Sequence, residues 1–100
     1  MEKIVGISLS QFLLNNDFIV PAALCSEIAK QIDALFDLGI IHKDLHAGNI
    51  IVAFEHDRWR VKIIDYGKAQ LISHSITDDE RRKHTVNIIK ELKSCQISRN

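Results

Sequence analysis

The sequence has few of the residues that mark specialised architectures. Its 100 residues include two cysteines, one proline and four glycines, and 13 basic residues balance 13 acidic ones. The cysteines have no CxxC or Cys/His ligand spacing, which excludes a cysteine-based metal site. Zero net charge gives no field that would attract nucleic acid. A chain of this length without linkers rich in Gly, Pro or Ser predicts one domain or part of one.

Long apolar runs are also absent from the sequence. No segment approaches the length of a membrane span, and no basic segment precedes a signal-peptide core. Hydrophobic residues make up 46% of the chain and charged residues 26%, which is ordinary for a soluble globular protein. We therefore expect a cytoplasmic chain that binds neither nucleic acid nor a membrane.

The helical periodicity is strongest over residues 21–38. Pro21 suits a first helical turn, and Gly39 follows as a C-terminal cap. Apolar residues recur on one stripe of this helix: Leu24, Ile28, Ile32 and Leu35. A brief helix is expected further upstream, capped by Ser8 or Ser10.

A second long helix is predicted over residues 77–93. Thr77 and Glu80 have the spacing of a capping box, which satisfies backbone N–H groups at a helix start. Its apolar positions at helical spacing are Val86, Ile89 and Leu92.

Two segments rich in β-branched and aromatic residues, 50–54 and 59–64, predict a β-hairpin. Because antiparallel strands bring their far ends together, the hairpin places Asn49, before the first strand, near Asp65, after the second. Asp44 lies on the loop just upstream. Residues distant in sequence are therefore expected to form one site.

The stretch His42-Lys43-Asp44-Leu45-His46-Ala47-Gly48-Asn49, with Asp65-Tyr66-Gly67 downstream, has the groups that phosphoryl transfer needs. Asp44 can orient or deprotonate a hydroxyl. Asn49 and Asp65 offer oxygen ligands to hard cations such as Mg²⁺. Order and spacing together indicate metal-assisted phosphoryl transfer.

Two other interpretations of these residues stay open at this point. Asp44, Asn49 and Asp65 are residue types that often bond local backbone in turns. Alternatively, His42, Asp44 and His46 form a two-histidine, one-carboxylate ligand set for a transition metal, which leaves Asn49 and Asp65 without a role. We expect His42 to be a packed, hydrogen-bonded organiser of the loop rather than a proton shuttle.

These motifs resemble the protein kinase-like superfamily. His42-Lys43-Asp44 is similar to the HRD catalytic-loop motif with Lys in place of Arg, and Asp65-Tyr66-Gly67 is similar to the DFG motif with Tyr in place of Phe. The continuation His46-Ala47-Gly48-Asn49 resembles aminoglycoside phosphotransferases and small atypical kinases. Residues 1–6 with Ser8-Leu9 resemble the fifth strand and the hinge that contacts adenine.

The resemblance implies an α+β fold, a partial kinase C-lobe without the N-lobe. Its parts are a hinge-like segment at 1–8, a long helix at 21–38, a catalytic loop at 42–49, a metal-binding hairpin at 50–67 and a helix at 77–93. It also implies roles for individual residues. Asp44 would be the catalytic base, His46 would contact the phosphates, and Asn49 and Asp65 would bind Mg²⁺. The main chain of Glu2 and Ile4 would contact adenine, and Ser8 would lie near the ribose. Ile51 and Ile64 would line the nucleotide pocket.

The function implied is transfer of the ATP γ-phosphate to a hydroxyl of a protein Ser/Thr or of a small molecule. The sequence contains no Gly-rich phosphate loop and no strand with a phosphate-pairing Lys, so we expect weak or absent activity from this chain alone. A protein partner that supplies an N-lobe would complete the site. The alternative is a non-catalytic interaction module that docks on other kinases or their regulators through an exposed apolar face.

Overall fold

The computed structural model describes residues 6–17 and 19–92. Helices and strands are mixed, which confirms the predicted α+β class. The elements in chain order are β1 (Ile7–Ser8), α1 (Leu9–Asn15), α2 (Ala22–Asp37), β2 (Ile40–Ile41), a 3₁₀ turn (Ala47–Asn49), β3 (Ile50–Glu55), β4 (Arg58–Ile63), a second 3₁₀ turn (Tyr66–Lys68), β5 (Gln70–Leu71) and α3 (Asp78–Glu91). None of the helices within the described ranges has the length and hydrophobicity needed to span a membrane.

The strands form two small antiparallel sheets. One has the order β1-β3-β4, and the other pairs β2 with β5. The β3–β4 hairpin turns through His56 and Asp57, both with positive φ (52° and 62°), as in a type I′ turn. Because this turn matches the twist of the two strands, it fixes the register in which Ile50 faces Ile63. This register places Asn49, just before β3, next to the residues that follow β4.

Helix α2 packs its apolar stripe on the hairpin and fills the centre of the core. Leu24, Ile28 and Ile32 are buried as predicted, Leu35 is partly buried against the same core, and Phe36 is buried as well. Each fully buried Leu or Ile contributes about 1.5–3 kcal/mol of burial free energy. The helix ends where Gly39 adopts a φ of 79° and donates its N–H to the Phe36 carbonyl at 2.9 Å. This glycine frees the chain to turn into β2.

The apolar residues at helical spacing in α3 are buried to different extents, since Leu92 is buried and Ile89 is half-buried. The buried residues of the helix are Thr85 and Ile88, followed by Leu92 at the C-cap, whereas Val86 is 45% exposed. The spacing of the apolar residues did not indicate Thr85 as a buried position. Thr85 can be buried since its hydroxyl donates to the Arg81 carbonyl at 2.7 Å, which leaves its polar atom satisfied.

Arg81 fixes the orientation of α3 against α2. Its guanidinium nitrogens lie 3.5 Å from a carboxylate oxygen of Asp33 and 3.3 Å from one of Asp37. The guanidinium also lies 5.2 Å from the centre of the Phe36 ring. Partly exposed ion pairs of this kind each contribute little, about 0–1 kcal/mol. Three contacts on one side chain nevertheless define a single packing geometry.

The capping box at the start of α3 predicts a pH dependence of stability. Thr77 N–H donates to Glu80 Oε1 at 3.0 Å, and this backbone bond is the main cause that lowers the pKa of Glu80. A lowered folded-state pKa gives stability that is present above the ordinary carboxyl pKa and is lost as pH falls through the folded value. We expect the thermal midpoint to fall between about pH 6 and about pH 3, and to fall less in Glu80→Gln, which keeps an acceptor but does not titrate. Circular dichroism melts measure this, and equal acid losses in both proteins would contradict it.

Candidate active site

The main chain of Ile64 joins the two predicted motifs. Its N–H donates to the Asn49 carbonyl at 2.8 Å, and its carbonyl accepts from His42 Nε2, also at 2.8 Å. Asn49 and His42 belong to the catalytic-loop motif, and Ile64 directly precedes Asp65. The predicted convergence at the open end of the hairpin is therefore made by backbone hydrogen bonds.

His42 is buried, with 3% of its surface exposed, and both ring nitrogens are occupied. Because Nε2 donates to the Ile64 carbonyl, Nδ1 is free to accept the N–H of Asp44 at 3.2 Å. This pattern assigns the neutral Nε2–H tautomer. The prediction that His42 is packed and hydrogen-bonded within the loop is confirmed. The transition-metal alternative is wrong, since His42 has no nitrogen left for an ion.

Asn49 holds the carboxylate of Asp44 in place. Its Nδ2 donates to the Asp44 main-chain carbonyl at 2.8 Å and to Asp44 Oδ2 at 3.2 Å. These two bonds use both amide protons. Within the described ranges no donor bonds Asn49 Oδ1, so an amide oxygen faces away from Asp44 and can serve as a ligand. Asn49 is 7% exposed, which keeps this arrangement rigid.

His46 contacts the second oxygen of the same carboxylate. Its Nδ1 accepts the Gly48 N–H at 3.0 Å, so the proton must lie on Nε2, which is 3.5 Å from Asp44 Oδ1. The 3.2 Å approach of Asn49 Nδ2 to His46 Nε2 is consequently a contact between two donors. A side chain at Gly48 would collide with the His46 ring, 2.9 Å from the Cβ position. A larger residue at position 48 would therefore displace the His46 ring.

Asp65 follows Ile64 and is exposed to solvent. It adopts φ 63° and ψ 68°, a left-handed conformation that Asp tolerates better than most residues. Across residues 6–17 and 19–92, no three His, Cys, Asp or Glu side chains converge on a metal position. Mg²⁺ is often bound by one or two protein oxygens together with substrate phosphates, and the Asp65 carboxylate and the Asn49 amide oxygen are of the types that it prefers.

Tyr66 packs its ring on His42, with ring centres 5.1 Å apart and planes inclined by 58°. Partial burial raises the pKa of the Tyr66 phenol above its ordinary value. The tyrosine in the Phe position of the metal motif thus adds a ring contact to the hydrogen bonds of His42. This contact is a second link between the two motifs.

The residues predicted for nucleotide binding are placed less completely. Glu2 and Ile4 lie outside the described residues. Ser8 caps α1 by accepting the Gln11 N–H at 3.2 Å, and it pairs with Ile51 in the β1–β3 ladder. Ile51 and Ile64 are both half-buried. The nucleotide contacts of these residues stay predictions.

Glu91 joins the site although its sequence position gave no reason to include it. Its Oε1 accepts the Ala47 N–H at 2.8 Å, across 44 residues of sequence. A contact of this range depends on how α3 packs. The one local signal is an acidic residue at the C-terminal end of a helix, where the helix dipole disfavours negative charge.

Comparison with known proteins identifies the family. Residues 1–96 match the ABC1 atypical kinase-like domain. The chain belongs to the ABC1 atypical kinase-like family. The predicted membership of the protein kinase-like superfamily is thereby confirmed.

Relatives of the ABC1 chain include proteins named as kinases. A mitochondrial ABC1 family protein of Saccharomyces cerevisiae is 33% identical over 91 residues, covering 82% of this chain and 13% of the yeast protein. A probable serine/threonine-protein kinase of Dictyostelium discoideum is 38% identical over 64 residues (64% and 4%). The tyrosine-protein kinase hopscotch of Drosophila melanogaster is 47% identical over 57 residues (57% and 5%). The chain thus spans 4–13% of the length of these three relatives.

Replacing His42 by Phe tests its role as organiser. The Phe ring fills the same space but leaves the Ile64 carbonyl and the Asp44 N–H without their partner, so we expect a loss of about 1–3 kcal/mol in the free energy of unfolding. Urea titration measures it. His74→Ala is the control, because His74 is exposed and bonds only the adjacent Ser75 carbonyl, and it should change stability by less than about 0.5 kcal/mol. Equal losses in the two variants would exclude the organiser role.

Proposed function

We propose that this chain is the catalytic-loop portion of an ATP-dependent phosphotransferase, which transfers the γ-phosphoryl group to a hydroxyl of a protein Ser/Thr or of a small molecule. The observation that carries the proposal is the orientation of the Asp44 carboxylate. Asn49 donates to one of its oxygens and His46 lies against the other. The side chain is still 30% exposed, so an acceptor hydroxyl can reach it.

The chemical task of Asp44 follows from this geometry. An attacking hydroxyl must be aligned with the phosphoryl group and must give up its proton. A carboxylate that is already held by two neighbouring side chains loses little freedom when it accepts that hydroxyl, so the alignment is set in advance. The proton of the hydroxyl then passes to an oxygen of Asp44.

Asn49 Oδ1 and the Asp65 carboxylate are the groups that would hold Mg²⁺. Bound there, the ion would neutralise charge on the phosphates of ATP. Asn49 orients its oxygen by donating both amide protons to Asp44, which couples the position of the ligand to that of the base. Asp65 is held by its neighbour Ile64, whose main-chain N–H and carbonyl are both bonded to the catalytic loop.

We expect the 100-residue chain to bind nucleotide weakly when alone. None of its four glycines belongs to a Gly-rich phosphate loop. Without such a loop the phosphates of ATP stay exposed to water and are bound less tightly. The non-catalytic alternative has support from exposed apolar side chains, among them Ile7 at 41% and Leu71 at 76%. A kinase-like module that docks on another protein would cover such residues.

Titration of the chain with ATP, in the presence and absence of Mg²⁺, separates the two functions. Asp65→Asn removes the charge and retains a residue that tolerates the left-handed backbone. We expect it to weaken magnesium-dependent ATP binding about tenfold or more, since it changes a ligand of the ion. Isothermal calorimetry gives the affinities.

The matched control is Asp57→Asn. Asp57 is also an exposed aspartate with a φ near 60°, but it lies in the hairpin turn at the end away from the site. Its replacement should leave ATP affinity unchanged. Absence of magnesium-dependent binding in the wild-type chain, together with stable association with a kinase, would favour the docking module and exclude the phosphotransferase assignment.

A further inference from the structure

The contact between Glu91 and Ala47 links the last residue of α3 to the middle of the catalytic loop. Oε1 of Glu91 accepts the Ala47 N–H at 2.8 Å, a short distance for a charge-assisted hydrogen bond. Ala47 is fully buried, so its N–H is shielded from water. A buried N–H that loses its acceptor carries a penalty, and this makes the position of Glu91 matter for the loop.

Glu91 completes the hydrogen bonding of the 3₁₀ turn Ala47–Asn49. The Gly48 N–H is accepted by the His46 side chain and the Asn49 N–H by the His46 carbonyl. The Ala47 N–H is instead accepted by Glu91 of α3. Two of the three N–H groups of the turn are therefore satisfied within the loop, and the third depends on a different element.

The end of α3 is held in a fixed position. Ile88 and Leu92, on either side of Glu91, are 0% and 1% exposed and anchor the helix end in the core. A carboxylate at a helix C-terminus is disfavoured by the helix dipole. The bond to Ala47 offsets this cost and directs the carboxylate into the loop.

We propose that Glu91 is a positioning residue, which holds the Ala47–Asn49 turn so that Asn49 remains bonded to Asp44. The inference deepens the proposed function, because Asn49 is the residue that connects the base to the metal ligands. Glu91 acts through the backbone of Ala47 and contacts neither of these side chains. Its effect should consequently be seen first at the Ala47 amide and then at the Asn49 side chain.

The experiment compares Glu91→Ala, Glu91→Gln and Lys90→Ala in the full chain. Glu91→Gln keeps an oxygen acceptor, whereas Glu91→Ala removes it; Lys90 is the exposed neighbour and serves as control. Hydrogen exchange is followed by NMR at the Ala47 amide and at the Asn49 side-chain amide. We expect faster exchange at both in Glu91→Ala, by about tenfold or more, with most of the protection restored in Glu91→Gln and no change in Lys90→Ala.

A second measurement is the affinity for Mg·ATP, which should fall about tenfold in Glu91→Ala and recover in Glu91→Gln. Recovery in Glu91→Gln would show that the loss in Glu91→Ala comes from the missing acceptor and not from the missing charge. Unchanged exchange at Ala47 and Asn49 in Glu91→Ala would overturn the inference, and so would equal losses in the Ala and Gln variants. If the wild-type chain binds no Mg·ATP, the proposed function fails, and the two exchange rates still decide whether Glu91 positions the loop.

Discussion

The site depends on the main-chain N–H and carbonyl groups of Ile64. Its N–H and carbonyl are bonded to Asn49 and His42, both at 2.8 Å, and so connect the segment that carries Asp65 to the loop that carries Asp44. Backbone groups buried in such a position need partners, and here each partner comes from the other motif. His42 adds direction, because its second nitrogen accepts the Asp44 N–H. One buried imidazole thus sets the geometry of both motifs.

Around this link the fold supplies two kinds of support. The β3–β4 hairpin, closed by left-handed His56 and Asp57, fixes the register that brings Asn49 opposite Ile64. Helices α2 and α3 form the second support. Arg81 of α3 forms ion pairs with Asp33 and Asp37 of α2. Glu91 of α3 accepts a hydrogen bond from the loop at Ala47. The loop between the helices and the hairpin is therefore held from both sides, as a preorganised catalytic site requires.

Much of the fold followed from local signals. The periodicity of residues 21–38 predicted α2, and β-branched strands with a turn between them predicted the hairpin, because both signals reflect the chemistry of adjacent residues. The buried positions of α3 followed only in part from its apolar spacing, which included Leu92 but neither Thr85 nor Ile88. Whether Thr85 or Val86 faces the core depends on what packs there, and Thr85 qualifies through its bond to the Arg81 carbonyl. The metal-ligand roles proposed for Asn49 and Asp65 rest on residue type and spacing alone.

The sequence by itself determined the identity and order of the chemical groups: a carboxylate at Asp44, an amide at Asn49, a second carboxylate at Asp65, and a histidine at position 42 to organise them. Residue type and spacing carry that information because the catalytic loop is short and its bonds are mostly local. The tertiary structure alone decided how the groups are held. The bond from Ala47 to Glu91 spans 44 residues, and the Ile64 link spans 15 and 22. Contacts of that range exist only once the helices and the hairpin have packed, so no local pattern records them.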